Sequence, residues 1–256
     1  MTRKQLFSCL TGVILAGSCS LSAHASALSW DPFVIRNANA VPHDAPTITE
    51  NADGQGVTTT IDEAGQKTGY GTTGVDGDTI GSLVSLSYTR TDAGTSSPYL
   101  NIWVTDGTNY ALIAPVAGGL HGGGYSTNNI NGLSLQTLGF NIYDNSTGAN
   151  YDWLFTGATR DAGPGSLLKS NGDIVTLADI SNLLINVPST YPVDTGAPET
   201  GDGFNLVFGD TQGNFVTPIP YAIDNVTLTT VVPTPAAALG AIPLFGLLLL
   251  KKRTVA

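Results

Sequence analysis

The chain has 256 residues, with 20 acidic and 10 basic side chains and a formal net charge of −10. All the acids fall between Asp31 and Asp224, while Arg3, Lys4, Lys251, Lys252 and Arg253 put half the bases at the two ends. The strongly acidic stretch between them disfavours nucleic acid and anionic membranes as partners and suits cations. Both cysteines, Cys9 and Cys19, lie near the N-terminus, so the rest of the chain must hold its core without disulfides.

The N-terminus reads as a secretory signal peptide over residues 1–25. Arg3 and Lys4 form the basic segment, Leu6 to Ala16 the apolar one, and Ala23-His24-Ala25 a small-x-small cleavage site. Cleavage is expected after Ala25, with Ala25-Ser26-Ala27 as the second choice. Ala16-Gly17-Ser18-Cys19 is similar to a lipoprotein box, with Ala16 where Leu is usual, which keeps Cys19 open as a lipidation site.

Residues 26–231 are expected to form a single domain. Its first part is mostly loop: Ala38 to His43 and Asp53-Gly54-Gln55-Gly56 are turn material, Val57 to Ile61 is a strand, and Asp76-Gly77-Asp78 is a turn. Val84, Leu86 and Tyr88 then alternate with Ser85, Ser87 and Thr89, the period of a half-buried strand.

Three stretches share one pattern: apolar-Asn-apolar, an Asp/Gly turn, then Asn-aromatic. They are Leu100 to Val104 returning at Asn109-Tyr110, Phe140 to Tyr143 returning at Asn150-Tyr151, and Phe204 to Phe208 returning at Asn214-Phe215. Each is expected to be a β-hairpin. Leu177 to Leu184 is the best helix candidate, with Thr176 as its N-cap and a strand as the alternative. Tyr221 to Leu228 reads as the closing strand.

Catalytic signatures are scarce. Beyond the leader the only histidines are His43 and His121, and no Gly-x-Ser-x-Gly occurs, since Gly132-Leu133-Ser134 continues as Leu135-Gln136. Zinc sites and thiol nucleophiles are disfavoured. The expectation is a non-catalytic protein, with a carboxylate-dependent polysaccharide-degrading enzyme as a lesser alternative, because Asp pairs are plentiful.

Taking the pleat literally, Leu100, Ile102 and Val104 face the core, and Asn101 and Trp103 face away. Asn141 with Tyr143, and Asn205, fall on the same outward side of their own strands. A flat indole and a phenol beside three amides suit a sugar ring, so Trp103, Tyr143, Asn101, Asn141 and Asn205 are the expected glycan-binding residues. The rival expectation is that this face is buried by a covering segment and the protein is a structural matrix component without a discrete ligand.

The last residues, 232–256, form a unit of their own. Val232-Pro233-Thr234-Pro235 stops any element arriving from upstream, and Ala236 to Leu250 is uncharged and interrupted by Pro243. As a helix this run would span ~22 Å, short of a ~30 Å hydrocarbon core, and Lys251-Lys252-Arg253 should stay cytoplasmic. Proline pair, short apolar helix and basic cluster resemble the PEP-CTERM sorting signal of Gram-negative bacteria. Thr234 stands where Glu is usual, and the Pro-Ala-Ala and Pro-Leu-Phe pieces look like a variant of the signal. The resemblance implies that Pro233, Pro235, Lys251, Lys252 and Arg253 are read by an exosortase-type membrane protease. It further implies transient anchoring in the inner membrane through the short C-terminal helix, and a final place on the cell surface, outer membrane or extracellular matrix; exopolysaccharide is the partner expected for the glycan-binding residues above.

The closing strand, Asp224-Asn225-Val226-Thr227-Leu228, resembles the last strand of galactose-binding-like jelly rolls, which include carbohydrate-binding modules. That implies an all-β, antiparallel, jelly-roll-like two-sheet sandwich, in which the Asp at this position often ligates a structural Ca²⁺. Period two from Val226 and Leu228 points Asp224 to the core side, where a carboxylate needs a partner or a cation.

Overall fold

A computed structural model describes residues 23–24, 28–37, 44–92, 98–115, 129–146, 148–161, 165–188, 201–209 and 218–231. They belong to one compact unit, Ala23–Pro233. Its strands are β1 (Ala23–His24), β2 (Asp31–Arg36), β3 (Thr47–Glu50), β4 (Val57–Ile61), β5 (Lys67–Thr72), β6 (Leu83–Arg90), β7 (Tyr99–Thr105), β8 (Tyr110–Pro115), β9 (Ile130–Ser134), β10 (Phe140–Asn145), β11 (Thr159–Arg160), β12 (Leu167–Leu168), β13 (Leu184–Ile185), β14 (Phe204–Gly209) and β15 (Ile219–Val231).

The expected all-β, antiparallel architecture is met. A 6-stranded sheet runs β3-β4-β15-β6-β9, with β1 also paired to β15. A 7-stranded sheet runs β10-β8-β7-β14-β5-β2, with β13 also paired to β7. Successive strands cross between the two sheets at β1 to β2, β2 to β3, β4 to β5, β5 to β6, β6 to β7, β8 to β9, β9 to β10 and β14 to β15. The inner faces share one apolar core. Phe208 of β14 meets Tyr221 of β15 edge-on at 5.5 Å. Trp30, just before β2, stacks on Tyr70 at 5.5 Å. The hydroxyls of Thr59 and Thr68 join β4 to β5 at 3.2 Å.

Local chemistry explains the corners. At the β4–β5 crossing Gln66 is 1% exposed, and its side-chain oxygen accepts from the Asp62 and Glu63 N–H groups at 2.7 and 3.1 Å. Asp106-Gly107 makes the β7–β8 hairpin turn as expected, with Gly107 at φ 94° and Asp106 accepting from the Thr108 and Asn109 N–H groups.

One expected hairpin does not form: β10 pairs with β8 and is bridged once more, Asn141 to Ser166, and Asn150-Tyr151 is not a strand. β14 is flanked by β5 and β7, and β15, the next described strand, lies in the other sheet; the expected return at Asn214-Phe215 lies outside the described residues. The helix expected over 177–184 shrinks to a 3-10 turn, Leu177–Ile180, before β13. Thr176 does cap it. The Thr176 N–H and hydroxyl donate to Asp179 at 2.8 and 2.9 Å, completing a capping box.

Two ionic features stiffen the unit. Arg90 and Asp92 pair with side chains only 2% and 4% exposed. Asp92 also accepts from the Ala222 N–H at 2.8 Å, and the Arg90 N–H donates to Asn129 at 2.9 Å, so the pair ties β6 to β15 and to the start of β9. Beside them burial pushes the Tyr88 phenol up to about 12. Lys169 bridges to Asp179 at 2.8 Å. Partial burial raises the Asp179 pKa, but hydrogen bonds from Lys169 and Thr176 outweigh it and hold the carboxyl below its ordinary range.

Removing one partner of a buried pair strands the other charge. Arg90→Met should therefore lower stability by about 3–5 kcal/mol in denaturant unfolding, and adding Asp92→Leu should recover part of that loss. For Asp179, a depressed folded pKa means its contribution is present above the unfolded value and is lost as pH falls through the folded one. Asp179→Asn should flatten the stability–pH curve below about pH 4 and leave its slope unchanged near neutrality, read by urea unfolding across pH.

Candidate functional site

The outer face of the larger sheet carries the residues expected to bind glycan. Asn101 opposes Asn205, Asn205 opposes Gly71, and Gly71 opposes Asp31. Asn141 opposes Ala114, which neighbours Asn101 through the β7–β8 register. The three asparagines therefore lie on one cross-strand row. The neighbouring row is Tyr99, Val207, Gly69 and Phe33. A Cβ on Gly69 or Gly201 would collide with the Phe33 ring, and one on Gly71 with Asn205 and Asp202. Glycine here is clearance for an aromatic laid flat across the strand.

This face is not open. Every residue of β7 is buried, and so are five of the six in β14. Trp103 is 4% exposed, which overturns its expected place on a solvent-facing surface. The alternation correctly put it opposite Ile102 and Val104, but the side away from the main core is covered as well.

The amides are buried too: Asn101 at 8%, Asn141 and Asn205 at 4%. Asn205 holds its own turn, accepting from the Asp202 N–H at 2.9 Å and donating back to the Asp202 carbonyl. Asn141 accepts from the Ser166 hydroxyl at 3.2 Å. Asn101 Oδ1 alone of the three side-chain oxygens lacks a hydrogen-bond partner among the described residues. Tyr143 is 40% exposed, at a β-bulge of the edge strand β10, with β8 between it and Trp103. The expected pairing of two outward rings is not there.

Asp224 is likewise not on the core side. A bulge at Asp224–Thr227, with Asn225 at φ 54°, shifts the alternation, so that Ile223 and Val226 both point inward. The Asp224 carboxylate accepts from the Asn225 N–H at 2.8 Å and so caps the bulge. Among the described residues no group of three or more His, Cys, Asp or Glu could hold a metal ion. Ala25, Pro233, Pro235, Lys251, Lys252 and Arg253 lie outside the described residues, as do His43, His121 and the expected C-terminal helix. Among the described residues no helix is long and apolar enough to cross a membrane.

The open face belongs to the other sheet. Thr47 opposes Thr60, and Thr49 opposes Thr58. Ser87 opposes Thr227, and Ser134 opposes Ser85, which opposes Thr229. Thr47, Thr49, Thr58, Thr227 and Ser134 are exposed, and Thr60, Ser85, Ser87, Thr89 and Thr229 are half-buried. Rows of hydroxyls thus stand ~4.8 Å apart across strands and ~6.8 Å along them. The only charge in these rows is Asp224, opposite Thr89. The period-two hydroxyls at Ser85, Ser87 and Thr89 were visible in the sequence; that Ser85 and Ser87 meet Thr229 and Thr227 depends on pairings remote along the chain, and Pro220 and Ala222 of β15 stand opposite Thr60 and Thr58, between the two groups of hydroxyls. Such a face offers many donors and acceptors and a single carboxylate.

Scans against protein-family models, curated proteins and solved structures found no match to this chain. Burial makes a plain prediction for the indole. Trp103→Ala should cost about 3–5 kcal/mol in equilibrium unfolding, as for a core aromatic. A nearly unchanged melting temperature would instead mean that the ring lies free.

Proposed function

We propose that this is an exported, non-catalytic surface or matrix protein that contacts neutral polysaccharide through the hydroxyl rows of the smaller sheet. The observation that carries this is a face of Thr and Ser hydroxyls with a single charge, Asp224, on a chain with 20 acids and 10 bases. A neutral sugar polymer meets no repulsion there and finds hydroxyl partners at regular spacing. The strand crossings support a jelly-roll-like sandwich: β4-β15-β6-β9 facing β5-β14-β7-β8 is the order made by rolling paired strands around a barrel. The leader and the PEP-CTERM-like tail support export, an exosortase-type protease as the processing partner and transient inner-membrane anchoring.

Burial of Trp103 favours a second reading, a structural matrix component with no discrete ligand. One experiment separates the two. In affinity electrophoresis through the host's exopolysaccharide, the wild type should be retarded. Thr58→Glu with Thr227→Glu should lose at least tenfold in apparent affinity while melting stays nearly unchanged, as befits exposed positions. Unretarded wild type would support the structural reading.

A further inference from the structure

The fold begins earlier than the leader's expected cleavage site allows. β1 pairs antiparallel with the end of β15, Ala23 opposite Val231 and His24 opposite Thr230. It lies on the flank of β15 that β4 occupies lower down, at Ile219 to Ile223. The other flank of Thr230 is taken by Leu83 of β6. The compact unit likewise starts at Ala23. Cleavage after Ala25 would strip this strand, leaving Thr230 paired only to Leu83 and Val231 without its partner Ala23, just before Pro233.

The sequence provides another cleavage site. Ser20-Leu21-Ser22 has the same small-x-small form and ends immediately before Ala23. It also lies nearer the end of the apolar run Leu6 to Ala16.

We propose that export processing cuts at or before the Ser22–Ala23 bond, so that Ala23 and His24 remain in the mature chain as a strand of the smaller sheet. At that bond a leader peptidase would add water across the amide, leaving a carboxylate on Ser22 and a free amine on Ala23. The inference rests on the leader reading above and adds the position of its removal.

The test uses the full chain, produced in a Gram-negative host and recovered from outside the inner membrane. Intact mass and N-terminal sequencing should give a start at Ala23 or upstream; a lipid-bearing start at Cys19 keeps β1 equally well. A start at Ser26 or later overturns the inference and leaves the leader reading standing. An uncut Met1 overturns both. As an independent measure, chains starting at Ala23 and at Ser26 should differ. The longer one should melt roughly 2–4 °C higher, the effect of about one net hydrogen bond in a domain this size. Its peptide 226–231 should also exchange amide hydrogen several-fold more slowly. Identical melting and exchange would remove β1 from any structural role.

Discussion

The structure turns on one constraint: the central strands of the larger sheet are buried on both faces. A strand with one wet face can place any polar side chain there. β7 and β14 cannot, so their outward positions are apolar, small or hydrogen-bonded, with the Asn101 Oδ1 as the exception among the described residues. Val207 is apolar, Gly69 and Gly71 give way to the Phe33 ring, Asn205 holds the Asp202 turn, and Asn141 meets Ser166. What the sequence pattern offers as a recognition surface is largely a second packed layer. The wet side of the molecule is the other sheet, and the candidate contact surface moves with it.

Much of the fold was legible because its signals are local. Asp106-Gly107 makes its hairpin from chemistry within a few residues, and Thr176 caps the turn that follows it because Asp179 is three positions on. The alternation at Ser85 to Thr89 reads correctly, although Leu83 turns inward in place of Val84 where the pairing with β15 slips between Thr229 and Thr230. The strand partners were not legible. The pattern at Phe204 to Phe208 identifies a strand but not its neighbours, which are Lys67 to Thr72 and Tyr99 to Ile102. Three similar stretches therefore looked like three hairpins; the first is one, the second is not, and the return of the third lies outside the described residues. The candidate site failed for a related reason: period two separates two faces of a strand without saying which is covered, and Trp103 obeys the alternation while lying in the dark.

Charge is distributed with similar economy. Arg90, one of few bases between the two ends, is buried against Asp92, which accepts from the Ala222 N–H of β15, while the Arg90 N–H donates to the Asn129 side chain just before β9. Lys169 braces Asp179 and lies over the Phe155 ring at 5.7 Å. Lys67 lies over the Tyr99 ring at 5.8 Å. These cations serve internal packing and stand outside the hydroxyl rows, whose one charge is Asp224, so association of a neutral polymer with them should depend little on ionic strength, unlike binding to a basic patch.

The bulge at Asn225 has a consequence for how the chain can change length. Up to Ile223 the odd-numbered residues of β15 face the core, and from Val226 onward the even-numbered ones do. The last strand is two half-strands of opposite parity spliced at one left-handed residue. Were the strand to run regularly through Asn225, the second half would turn inside out, with Thr227 and Thr229 driven inward and Val226 and Leu228 expelled. Excising Asn225 would instead leave one unbroken alternation with the same residues facing the core, so it is the left-handed bulge that absorbs the extra residue and keeps the dry and wet sides of the sheet from trading places.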